Sequence, residues 1–250
     1  MIHHTIGNIG HLCIIVAFIT AFAAAFAYLK ATQSIDLQQQ TGWKRYARVA
    51  FAIHGVAVMG IMTSLFFIIY NHYYEYHYAW NYSSNSLPTH FVIATFWNGQ
   101  EGGFLLWIFW HVFLGLALIL TNKTWEMPVM AIFAMVQAFL CSMVLGIVFF
   151  DTLKIGSSPF ILLKDAMPAL PVWQTKPDWI PEDGRGLNPT LQNYWMVIHP
   201  PTLFLGFAST TVPFVFVLVA LWQKRVADFV KTVLPWALFS VCILGIGIMM

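Results

Sequence analysis

Six long apolar runs, separated by short polar links and one long polar loop, set the pattern of this chain. They cover roughly residues 9–29, 46–70, 102–120, 127–150, 202–222 and 232–250. Each has the length, about 20 residues, that an α-helix needs to cross a hydrocarbon core while satisfying its own backbone. The pattern therefore predicts an all-α, polytopic membrane bundle of about six transmembrane helices. The first link is polar, with Ser34, Asp36, Gln38–Gln40 and Gly42. The second is aromatic, with Tyr73, Tyr74, Tyr76, Tyr78, Trp80 and Tyr82, and reads as a belt at the lipid headgroups, with His72 and His77 exposed. The fourth, residues 151–199, is the long loop, rich in proline and acidic residues. The fifth helix is expected to begin near Thr202. That puts His199 at its mouth and Pro200 and Pro201 in the first turn, where a missing N–H is tolerated.

Composition agrees. The chain is 59% hydrophobic and 9% charged, with a mean hydropathy of +0.72, against roughly a quarter charged for a soluble domain. One integral membrane domain over residues 1–250 is expected. The net charge of +2 gives no argument for nucleic acid; the placement of the cations is what informs. Lys30, Lys44, Arg45 and Arg48, then Lys123, then Lys224, Arg225 and Lys231 fall in the odd-numbered links, close to helix ends. The second link has no Lys or Arg. Short basic links stay cytoplasmic. The N-terminus, the aromatic link and the loop before His199 are thus expected outside, where the two loops can meet. The start, Met1-Ile2-His3-His4, has no Lys or Arg before the first run, so no cleaved signal peptide is expected. Cys13, Cys141 and Cys242 lie in apolar runs without a CxxC or CxxCH, and read as small buried hydrophobes.

Candidate chemistry sits at the edges of the runs. Gly99, Gly102 and Gly103 flank Glu101, a carboxylate at the rim of an apolar span. That carboxylate either complements a helix N-terminus or is functional. His11, His54 and His111 lie in or near spans; each is a ligand, a proton carrier or a hydrogen-bonded member of the bundle. Asp183, Arg185 and Asn188 either serve a site or hold the loop together, and Asn188-Pro189 is a turn signal. His199, near Tyr194, Trp195 and Phe204 and on the same expected side as Trp97, is the best placed. Neutral imidazole is a common haem-iron ligand, and aromatic neighbours suit a porphyrin face.

Three blocks then resemble a known family. The first is Asn85-Ser86-Leu87-Pro88 with Trp97-Asn98-Gly99-Gln100-Glu101-Gly102-Gly103-Phe104-Leu105-Leu106-Trp107. The second is Gly184-Arg185-Gly186-Leu187-Asn188-Pro189-Thr190-Leu191-Gln192, and the third Ile198-His199-Pro200-Pro201 with Leu205-Gly206. In this order they are similar to blocks in the N-terminal portion of the CcmF/CcsA haem-handling, cytochrome c assembly family. Gly186 stands where that family usually has Asp, and Gln100 where His is common.

The resemblance implies a component of a cytochrome c haem lyase in the bacterial cytoplasmic membrane. It would hold haem b at the outer face while the CxxCH thiols of apocytochrome c add to the vinyl groups. His199 falls on the family's outer-face axial ligand, with Trp97, Glu101, Arg185, Asn188, Pro200 and Pro201 in the surrounding motifs. Haem, apocytochrome c, other maturation membrane proteins and the bilayer are the implied partners. The family continues into a tryptophan-rich segment and further His-bearing helices, so this stretch is a fragment or one part of a split protein. His54 and His111 match no family ligand position. Two other functions remain: a non-catalytic scaffold within a split lyase, and a proton-coupled transporter subunit using Glu101 and His54.

Overall fold

The computed structural model describes residues 2–150 and 152–250, so the expected loop start at Asp151 and the first residue Met1 lie outside the described residues. Among the described residues, six helices are long and apolar enough to cross a membrane: α1 (His4–Gln33), α2 (Leu37–Tyr70), α5 (Gln100–Thr121), α6 (Glu126–Met143), α9 (Tyr194–Trp222) and α10 (Phe229–Met249). Between α2 and α5 lie the short α3 (His77–Tyr82), α4 (Thr89–Ala94) and a 3-10 turn, Thr95–Trp97. Between α6 and α9 lie the antiparallel strands β1 (Ile147–Phe149) and β2 (Leu153–Ile155), the short α7 (Leu163–Ala166) and α8 (Val172–Thr175), and a second 3-10 turn, Pro189–Leu191. The bundle is the expected all-α membrane fold, with one small hairpin added.

α1 packs along both α2 and α6, α5 against α6 and α9, and α10 chiefly against α9. Small residues make the α1 contact close: Ala17, Ala21, Ala24, Ala27 and Ala31 are fully buried, spaced three or four apart so that they share one helix face. α10 is the least enclosed span, with 17% of its apolar window buried, and Cys242 on it is exposed rather than buried as expected.

All the odd links gather at one end. There Glu126, fully buried, takes Arg48 through two bonds (Nε–Oε1 2.6 Å, Nη2–Oε2 2.7 Å) and Lys44 Nζ at 2.8 Å. Arg225 stacks over Trp125 at 3.9 Å. A buried carboxylate is tolerable because two cations and the Tyr28 hydroxyl surround it.

Two helix limits differ from expectation. The fourth span stops at Met143 rather than near Phe150. Ile147 and Val148 are β-branched, and this segment gains a ladder by pairing with Leu153–Ile155. The fifth begins at Tyr194 rather than Thr202, so residues 194–199 of the expected loop are helical. Pro200 and Pro201 therefore sit in the second turn, and His199 lies within the helix rather than at its mouth.

The aromatic link is corrected too. Tyr74, Tyr76 and Tyr78 are buried rather than forming a headgroup belt, and His72 and His77 are half-buried rather than exposed. These tyrosines have polar tips to satisfy, and they satisfy them inward. Tyr76 Oη donates to the His3 carbonyl (2.8 Å) and accepts from Gly7 N–H (3.1 Å). Tyr78 Oη donates to the Phe96 carbonyl (2.6 Å) and accepts from Gly99 N–H (3.1 Å). Burial pushes the Tyr78 hydroxyl well above its usual range, so it remains a donor.

Candidate functional site

At the end opposite the basic links, the aromatic link and the long loop meet through backbone bonds. His77 N–H reaches Ile161 O (3.0 Å), Leu163 N–H reaches Glu75 O (2.7 Å), and Arg185 and Gly186 N–H reach Trp80 and Ser83 O (2.7 and 3.0 Å). Gly186 sits at φ +78°, a region where Asp and Asn are the commonest non-glycine residues. Asp183 accepts from Asn85 N–H at 2.8 Å. That bond, with Gly184 N–H and the Tyr74 hydroxyl, holds its carboxyl below the usual range.

The site residues expected from sequence divide between two places. Arg185, exposed, donates to Asn81 Oδ1 (3.1 Å) and lies 5.6 Å from the Trp80 ring centre. Asn188 caps its own turn by accepting from Thr190 N–H and Oγ1 (3.1 and 3.0 Å). Glu101, in the first turn of α5, accepts from Ser157 Oγ at 2.6 Å, which ties the loop after β2 to α5. Its charge opposes the burial that lowers the His77 pKa.

Only Trp97 among these reaches the His199 segment. Its Nε1 donates to the Met196 carbonyl at 2.8 Å. Trp110 Nε1 donates to the Pro201 carbonyl at 3.0 Å. Between α5 and α9 lies an open aromatic groove of about 340 Å³, lined by residues including Trp97, Gly103, Phe104, Trp107 and Phe204. Trp107 Nε1, in this groove, and His199 Nδ1, on α9 outside its lining, are both buried without a hydrogen-bond partner among the described residues. The sequence reading had no role for Trp107 or Trp110. The signal was the spacing of Gly103, Trp107 and Trp110, which share one face of α5.

The helix starts so close to the aromatic link because Gly102 lets it. A Cβ there would fall on the Phe96 carbonyl oxygen and the Tyr78 hydroxyl. Gly102→Ala is expected to lower stability by about 1–2 kcal/mol, the usual cost of forcing a methyl into a packed site. Thermal unfolding in detergent checks it; an unchanged midpoint would show that this junction is looser than described.

His54 and His111 lie mid-bundle in a closed network. His54 Nδ1 is 2.9 Å from the Ala17 carbonyl, and its Nε2 is 2.8 Å from Gln137 Nε2. Gln137 Nε2 also donates to Ile108 O (2.9 Å), and Gln137 Oε1 is 3.1 Å from His111 Nδ1. His111 Nε2 is 3.1 Å from both Thr211 Oγ1 and the Ala208 carbonyl oxygen. His11 Nδ1 makes only a long contact, 3.4 Å, with Ser158 Oγ.

Residues 97–250 match the profile of the cytochrome C assembly protein family. The chain is 29% identical over 257 residues to the cytochrome c-type biogenesis protein CcmF of Pseudomonas aeruginosa, covering 98% of this chain and 34% of that protein. It is 32% identical over 173 residues to the cytochrome c-type biogenesis protein CycK of Rhizobium meliloti, covering 69% of this chain and 23% of that one. The solved structure titled Cytochrome c Heme Lyase CcmF shares the fold, with a TM-score of 0.71 at 20% identity over 97% of this chain and 35% of that chain. The chain thus spans roughly a quarter to a third of the length of the relatives it matches.

Proposed function

Because this chain belongs to the cytochrome c assembly protein family, we propose that it is the part of a cytochrome c haem lyase that presents haem, through His199, for attachment to apocytochrome c. The imidazole of His199 carries the reading. Its Nδ1 is buried and unpartnered, whereas both ring nitrogens of His54 and of His111 are spent on the bundle. An imidazole the fold does not consume, on a helix lined with Trp and Phe, suits iron in a porphyrin.

Haem b, the cargo, supplies the iron that takes the imidazole and the two vinyl groups that take the thiols. His199 would hold the haem by its iron, leaving the vinyl groups to the CxxCH of the partner. Each thiol adds across one vinyl C=C, forming one C–S and one C–H bond with no leaving group and no change in electron count. The thiols come from apocytochrome c, so Cys13, Cys141 and Cys242, all within spanning helices, have no part to play. Trp97 and the Pro200-Pro201 turn support His199; Glu101, Arg185 and Asn188 shape the loops around it.

The basic links, gathered at the Glu126 end, face the cytoplasm in this reading, and the loop end with His199 faces outward from the bacterial cytoplasmic membrane. The largely uncovered flank of α10 favours a companion reading, that this chain docks other maturation proteins as the scaffold part of a split lyase. The transporter alternative is less well supported. Glu101 is held by Ser157, and His54 lies in a network anchored at Ile108, about two turns further along α5.

Haem titration of the chain in nanodiscs is expected to give a saturable, shifted Soret band, alone or with the companion chain. Haem bound only with the second chain favours the scaffold reading. No haem under either condition, together with ion flux in liposomes, refutes the lyase proposal.

A further inference from the structure

Pro200 and Pro201 follow His199 inside α9 and bring no N–H with them. In an α-helix the N–H of residue 200 would bond the carbonyl of Met196. Pro200 therefore leaves that carbonyl without its helical partner in the turn that carries the imidazole. Among apolar side chains an unpaired carbonyl is costly, and a turn lacking its bond is free to tilt. The Trp97 indole, 99 residues away in sequence, fills this vacancy with its 2.8 Å bond to the Met196 carbonyl. The other side-chain bonds nearby differ in kind. Thr202 Oγ1 reaches Ile198 O at 2.9 Å, and Trp110 Nε1 reaches Pro201 O, but neither carbonyl has lost its donor to a proline.

We propose that Trp97 is a positioning residue for His199: its indole N–H replaces the bond that Pro200 deletes, and so fixes the turn that aims the imidazole. The inference rests on the reading that His199 is the haem ligand, but its geometry can be tested without haem. The tryptophan reaches from the 3-10 turn joined to α5, so the pitch of the His199 turn is set by a different element from the one that bears it. Such an external strut suits a ligand that must hold its direction while cargo arrives and leaves.

A double-mutant cycle of Trp97→Phe and Pro200→Ala, read by amide hydrogen exchange over residues 194–204 in haem-free nanodiscs, decides it. With Pro200 present, Trp97→Phe is expected to speed exchange about tenfold, the effect of one lost hydrogen bond. In the Pro200→Ala background the new N–H takes the Met196 carbonyl, so Trp97→Phe is expected to change exchange less than about twofold. Equal acceleration in both backgrounds, or none in either, overturns the proposal. If Trp97→Phe loosens the whole bundle, 3-benzothienylalanine at position 97 keeps the ring shape and removes only the N–H; the same two outcomes then apply.

On haem-loaded protein, the N–H-deleting variant is expected to shift the Soret band, and Pro200→Ala to restore it. Coupling in the exchange cycle with a haem spectrum indifferent to His199→Ala would keep the strut and discard the ligand reading. A spectrum that needs His199, without coupling, would do the reverse.

Discussion

His199→Ala is expected to remove the Soret shift and to cost more than about 100-fold in haem affinity, with the fold intact. Losing mere outer-shell partners of a metal ligand already costs roughly 10–100-fold, and this change deletes the proposed ligand itself. The fold should not notice, because the His199 Nδ1 bonds nothing among the described residues. Replacing a group that the structure leaves unpaired removes no native hydrogen bond. The control is built into the chain: His54→Ala and His111→Ala should lower stability, since both rings are bonded on both sides, yet leave the haem spectrum in place. Trp97→Ala is expected to weaken haem retention less than His199→Ala, because it loosens the ligand without deleting it. Equal loss for Trp97→Ala and His199→Ala in well-folded protein would contradict the ligand assignment. Optical titration in nanodiscs, with unfolding followed in parallel, reads all four variants.

The six spans were legible because an apolar run of about 20 residues has few alternatives in a chain with 9% charge. Their ends were less so. The start of α9 was misplaced by reading Pro200-Pro201 as the beginning of a helix, which is where isolated prolines belong. Nothing local announces that a tryptophan 99 residues away will supply the missing donor. The end of α6 was misplaced because Ile147, Val148 and Phe149 are apolar enough to continue a span, and only their pairing with Leu153–Ile155 makes them strand. Tyr74, Tyr76 and Tyr78 were read as a headgroup belt because composition sees the ring and not its hydroxyl's partner. Those partners, His3 O and Phe96 O among them, come from other segments. His199 was put forward through the family resemblance and its motif. What singles it out from His54 and His111 physically, an unused ring nitrogen, is a fact of packing.

Gln137→Leu is expected to lower the stability of the bundle by about 3 kcal/mol, a larger loss than any surface change would give. The amide is fixed in one orientation, because its Nε2 faces the Ile108 carbonyl, which can only accept. The same nitrogen donates to His54 Nε2, so His54 carries its proton on Nδ1 and gives it to Ala17 O. Gln137 Oε1 must accept from His111 Nδ1, while His111 Nε2 faces both the Thr211 hydroxyl and the Ala208 carbonyl, each at 3.1 Å. One side chain on α6 thus sets the His54 tautomer, bonds His111 Nδ1, and links residues of α1, α2, α5 and α9. Leucine would strand a buried ring nitrogen on His54 and another on His111 at once. Each orphan costs about 1–3 kcal/mol, with membrane bundles toward the lower end. Replacing the whole set by His54→Phe, Gln137→Leu and His111→Phe is expected to cost less than Gln137→Leu alone, because no imidazole nitrogen is then left stranded. Unfolding in detergent ranks the two variants. A triple variant less stable than the single one would mean that these rings act through something other than each other, and would reopen the case for His54 as a proton carrier.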